Sequence, residues 1–156
     1  MSRNNIYDAL LAIGTTITGS FGSIQESGRR VKQWDKVQKP ALFQVEPDDD
    51  VKSQLGTRVQ RTLKVTWLIY HDAGRNQSVE PSRTSADIID AIEVVMPNNA
   101  NGYQTLGGLV YAAWVNGVIR KFEGDIDGQT IIAVPISITF GIHVFAFKPS
   151  FNSRIV

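Results

Sequence analysis

Two ionisable side chains, His71 and Asp72, stand together at the end of an apolar run in "TWLIYHDAG", residues 66–74. A histidine beside an acid is the raw material of general base catalysis, and strand ends are where such groups leave a sheet. Neighbours on a strand point to opposite faces, however, so these two side chains are expected to diverge rather than pair. No Gly-x-Ser-x-Gly elbow occurs, and the second histidine, His143, lies in an aromatic tail without a nearby acid. His71 therefore reads as a strand-end residue rather than a catalytic base.

The other chemistry-bearing groups are similarly dispersed. Two histidines far apart and no cysteine form none of the usual metal-ligand spacings, and the missing thiols also exclude disulfides and cysteine nucleophiles. The triplet Asp48, Asp49 and Asp50 lacks the glycine and distal glutamate of a calcium loop, so a solvated loop is the expected role. The glycines between Gly14 and Gly28 follow a helix, whereas a phosphate cradle follows a strand, and they show no dinucleotide or Walker pattern. Arg29, Arg30 and Lys32 near Trp34 could grip a phosphate and stack a base. Sixteen basic against fifteen acidic residues leave a charge of only +1, which favours the plainer reading of charges flanking a packed tryptophan. No cofactor is expected.

At 156 residues, 42% of them hydrophobic, the chain can bury one core, since single domains hold roughly 100 to 200 residues. The start, "MSRNNIYDALLAIG", has its apolar run broken by Asp8, unlike a signal peptide, and no window reaches the roughly 18 apolar residues of a membrane helix. A cytoplasmic site of synthesis or assembly is expected.

Periodicity then supplies the elements. Ile6, Leu10, Ile13 and Ile17 share a helical stripe, predicting a helix over about residues 3 to 18. "RRVKQW" and "ALFQVE" suit two short strands, and "PDDDVKSQLG" reads as an exposed loop. Val59, Leu63, Val65, Trp67 and Ile69 alternate with polar residues in a long strand with one wet face. Residues 84 to 96 predict a helix that Pro97 ends. Asp127-Gly128 then marks a hairpin between two strand-like runs, the second placed at an edge, or bulged, by Pro135. The expected fold class is α+β: a small, mainly antiparallel sheet with two helices packed on one face. Residues 1–156 form a single domain in this reading, with 143–156 as a C-terminal extension.

The ordered phrases "IYDALLAI", "VKQWDKVQKPALFQVEPDDD", "TLKVTWLIYHD", "SADIIDAIEVVM" and "NGVIRKFEGDIDGQTIIAVPISITF" resemble the tail terminator (tail completion) proteins of long-tailed bacteriophages. The resemblance spans about residues 3 to 140. It implies a structural virion protein, not an enzyme. Six copies would form a ring that caps the head-proximal end of the tail tube, stops tube polymerisation and joins the tail to the neck or head-completion proteins. Genomic DNA would pass through the lumen without specific binding, and no membrane would be involved. By region, the resemblance implies contact or lumen-facing roles for Asp48, Asp49, Asp50 and Lys52 and for the turn at Asp127 and Gly128. The aromatic tail with Phe147 and Phe151 extends past the family's usual ending and is expected to pack on its own domain or on a neighbouring subunit. Two alternatives stand beside this reading: another neck component, such as a head-tail stopper or adaptor, and a small α+β enzyme using His71.

Overall fold

The structure, a computed structural model, describes residues 2–53, 58–74, 78, 80–97, 102–123 and 128–143, with the backbone alone for 51–53, 58–60 and 142–143. The first helix, α1 (Arg3–Gly14), opens on Ser2, whose Oγ accepts from the Asn5 N–H. It stops short of the expected residue 18. The Thr15 and Thr16 hydroxyls donate to the carbonyls of Ala12 and Ile13, satisfying the open end of the helix, and Ile17 turns into the core. Gly14 sits against the sheet, where an added Cβ would lie 3.0 Å from Leu42 and 3.1 Å from Trp67. A side chain there would push the helix off its seat.

A small hairpin follows, β1 (Thr18–Gly19) with β2 (Gly22–Ser23), and then β3 (Glu26–Gly28), which pairs in parallel with the start of β4 (Ala41–Ser53). "RRVKQW" is not the strand its alternation predicts. It forms an irregular crossover ending in a 3-10 turn at Trp34–Lys36 that lies over the sheet. Next come β5 (Arg58–Asp72), α2 (Pro81–Val95), β6 (Ala112–Val115), β7 (Arg120–Glu123) and β8 (Gln129–His143). Helix α2 begins three residues before the expected Thr84, because Pro81 occupies its first turn and needs no N–H partner there. The sheet order is β3-β4-β5-β8, with β6 and β7 both on the far edge of β8.

Asp48, Asp49 and Asp50 lie in β4 and not in a loop. One extra residue at Glu46–Pro47 forms a bulge: Val45 pairs with Thr66, and the next paired residue, Asp48, with Lys64. The bulge absorbs Pro47, which has no N–H to donate, and the antiparallel ladder resumes beyond it. A second expectation fails in the opposite sense. β8 is an inner strand between β5 and the β6/β7 edge, and its partner takes the break instead. The Pro135 carbonyl accepts from the Asn116 N–H at 2.9 Å, so the ring nitrogen faces the same side, where β6 and β7 are interrupted between Val115 and Arg120.

Leu63, Val65, Trp67 and Ile69 of β5 and Ile132, Val134, Ile136 and Ile138 of β8 make one buried face. Both helices pack on it, through Ile6, Tyr7 and Leu10 of α1 and Ile88 and Ile92 of α2. This is the α+β arrangement expected from the pattern. The opposite face is not uniformly wet, since Ala41, Phe43 and Tyr70 are buried at one end beneath Trp34 and Val37. There Tyr70 meets Phe43 edge-on at 5.3 Å and donates its hydroxyl to the Lys32 carbonyl. Among the described residues no helix is long and apolar enough to cross a membrane.

Candidate functional site

Among the described residues His71 is the most buried ionisable group near an opening, 2% exposed on the helix side of β5. Its Nε2 lies 3.1 Å from the Ser85 Oγ of α2, which is itself 3.2 Å from the Pro81 carbonyl and 3.2 Å from Glu123 Oε1 of β7. The carbonyl and the carboxylate only accept, so the single hydroxyl proton goes to one of them. His71 Nε2 must then carry its own proton and donate to Ser85, leaving Nδ1 as a bare acceptor with no partner among the described residues. Burial pushes the His71 pKa below its ordinary value, opposed by the nearby Glu123 and Asp72 carboxylates. The ring is therefore neutral near pH 7.

This is not a hydrolytic triad. A triad places acid and nucleophile on opposite ring nitrogens with the nucleophile open to substrate. Here imidazole and carboxylate converge on one hydroxyl, and Ser85 is wholly buried. The arrangement ties α2, β5 and β7 together. Asp72 faces away, as strand alternation requires, and its Oδ1 accepts from the Gly74 N–H at 2.8 Å to shape the turn. Beside His71 a cleft of about 210 Å³ is lined by Phe21, Lys39, Pro40, Asp72 and Thr84.

A second polar set was hidden in the apolar pattern. Gln44, fully buried on the helix face, accepts from Trp67 Nε1 at 3.0 Å and donates to the Tyr7 carbonyl and to Glu46, each at 2.9 Å. Arg29 closes a fork on Glu46 with two bonds of 2.8 Å, reaches Asp8 and Asn4, and lies over the Tyr7 ring. Burial, with Glu46 and Asp49 nearby, raises the Tyr7 pKa. The basic cluster is thus largely committed to internal partners, because Lys32 also bonds Glu26 at 2.9 Å. Trp34 is capped by the Lys39 ammonium 3.8 Å above its ring. Neither is arranged to stack a base.

The residues expected at contacts separate. Asp48 and Asp50 lie exposed on the face opposite the helices, Asp48 across from Lys64. Asp49 turns to the helix face and pairs with Arg3. Lys52 is placed in β4 by its backbone. Gly128 is buried, its carbonyl accepts from the Ala73 N–H, and an added Cβ would lie 2.2 Å from the Gly74 carbonyl oxygen. Asp127, Phe147 and Phe151 lie outside the described residues. Sequence reasoning missed the aromatic pair Tyr103 and Trp114, 5.8 Å apart, and the exposed Val118 and Phe122 at the β6/β7 edge. The interruption opposite Pro135 was the signal that could have found that edge. Among the described residues no group of three histidines and acids could hold a metal ion. Compared with known proteins, the chain matches no family pattern and no curated sequence.

Proposed function

We propose that the chain is a structural virion protein, a tail terminator whose homohexameric ring caps the head-proximal end of a phage tail tube and joins it to the neck. The reading rests on the resemblance of residues 3–140 and, in the structure, on where apolar surface is left open. Both helices cover one sheet face. The β6/β7 edge then carries Tyr103 tilted at 37° against Trp114, with Val118 67% and Phe122 57% exposed. Aromatic and apolar side chains gathered at one margin suit contact with another protein.

In this role the partners are further copies of the chain, the tail tube protein and a neck or head-completion protein. The protein works in the virion after assembly in the host cytoplasm, without catalysis or a cofactor. A formal charge of +1 suits a lumen through which DNA slides without being gripped. Native mass spectrometry and negative-stain microscopy test the reading, with the chain alone and mixed with polymerising tube protein. A closed six-membered ring that arrests tube growth supports it. A protein that stays monomeric at every concentration and leaves tube length unchanged refutes it.

A further inference from the structure

The sheet has two free margins, and they carry opposite charge. On the outer side of β4 a strand partner covers only Ala41–Phe43, where β3 runs beside it. Beyond the bulge Asp48 and Asp50 stand exposed on the face opposite the helices, and neither is in an ion pair among the described residues. The neighbouring carboxylates are spent, Asp49 on Arg3 and Glu46 on Arg29. Lys64, across from Asp48 on β5, is exposed and forms no ion pair with it. At the other margin β7 has β8 on one side only. Arg120 and Phe122 pair with Ala133 and Ile131, which stand opposite Leu68 and Tyr70 of β5. They therefore share the sheet face of Asp48 and Asp50, since alternate residues of β5 point one way. Arg120 and Lys121 are exposed with no ion pair among the described residues, beside the exposed Val118 and Phe122.

We propose that these flanks, Asp48 and Asp50 on β4 and Arg120, Lys121 and Phe122 on β7, are the two halves of one head-to-tail contact between copies of this chain. The proposal rests on the ring reading and adds which surfaces meet. A two-fold contact of margin on margin would set each flank against itself, acid on acid or cation on cation, whereas a head-to-tail contact sets cations against acids at every junction. Single exposed ion pairs contribute little, so apolar surface backs the charges: Phe122 and Val118 on one flank, exposed Pro47 and half-buried Val45 on the other. Pro47 and the bulge interrupt the row of donors on β4, so side chains make the contact and the ladder does not continue across it. Arg120 is level with Leu68 and Asp48 with Lys64, roughly 13 Å apart along β5, so copies joined this way stand with their strands oblique to the line between them.

The test uses the full chain, in native mass spectrometry and sedimentation velocity, with two charge reversals: Arg120→Glu with Lys121→Glu, and Asp48→Lys with Asp50→Lys. Each variant alone presents two flanks of one sign and should need at least about tenfold more protein than wild type to assemble, because like charges then meet at every junction. Mixed in equal amounts, the two should assemble as wild type does, alternating around the ring, and that recovery also shows both to be folded. Wild-type assembly should weaken as salt is raised from about 0.05 to about 0.5 M, a measurement that needs no variant. Assembly of either variant alone as readily as wild type, no recovery on mixing, or indifference to salt would each overturn this contact and leave the ring reading standing. A wild-type chain that stays monomeric at every concentration overturns both.

Discussion

Replacing Gln44 by Met isolates what the buried amide contributes, because the two side chains are close in volume and no cavity is opened. The substitution removes three hydrogen bonds and strands the Trp67 indole N–H, which has no route to water at 0% exposure. A stranded buried donor costs about 1–3 kcal/mol, and each ordinary bond lost about 1 kcal/mol more. Glu46 keeps its Arg29 fork, and burying a thioether in place of an amide returns about 1 kcal/mol. The expected net loss is about 2–4 kcal/mol, a large share of the roughly 5–15 kcal/mol that holds a domain together. Urea unfolding followed by circular dichroism measures it, with an unchanged m value as the sign that the native fold is retained. Trp67→Phe removes the indole N–H, so the double variant should be less destabilised than the sum of the singles by about 1 kcal/mol. Additive losses, or a Gln44→Met cost below about 0.5 kcal/mol, would show that the bond between β4 and β5 side chains carries no such energy.

Four further outcomes are expected. Because the folded-state pKa of His71 is lowered, the unfolded chain takes up a proton first as pH falls below about 6.5. Stability should thus be level above that pH and decline below it until the folded ring also protonates; His71→Gln should flatten this slope in urea midpoints measured from pH 8 to 5. Gly128→Ala, at φ +76 and facing the Gly74 backbone, should lower the melting temperature more than Gly22→Ala, at φ +99 in open space, which bears only about 1–2 kcal/mol of left-handed strain. Ser85→Ala should cost about 1–3 kcal/mol by leaving His71 and Glu123 without their shared hydroxyl. Val118→Asp with Phe122→Asp should abolish any ring seen by native mass spectrometry while shifting thermal unfolding of the monomer little, as both side chains are mostly exposed.

The long strands and both helices were legible because their apolar residues recur at a single period. Val65, Trp67 and Ile69 alternate cleanly, and Ile88 and Ile92 fall a helical turn apart on the face they bury. The acidic triplet misled because local composition knows nothing of a partner strand: β5 holds Asp48–Asp50 in register across a bulge that only the paired chain reveals. Gln44 was invisible for a related reason. In "ALFQVE" the apolar residues Ala41, Phe43 and Val45 suggest the core face, yet Leu42, Gln44 and Glu46 point to the helices, and the indole partner lies 23 residues away. The His71 cluster joins residues 14 and 38 positions apart, a convergence that no spacing rule anticipates.

The interruption opposite Pro135 also bears on solubility. An open sheet margin is a template on which strands from other molecules can stack, and the hazard grows with the length of unbroken ladder on offer. Here the margin is cut into two pieces of four residues, Ala112–Val115, where Ala113 is already bridged to Gln104, and Arg120–Glu123, set apart by Gly117, at which an added Cβ would lie 3.2 Å from the proline ring. Neither piece is long enough to nucleate fibrillar stacking by itself, and Arg120 and Lys121 place like charges where an incoming strand would have to lie. At this margin, then, the break itself denies another chain's strand a long continuous register.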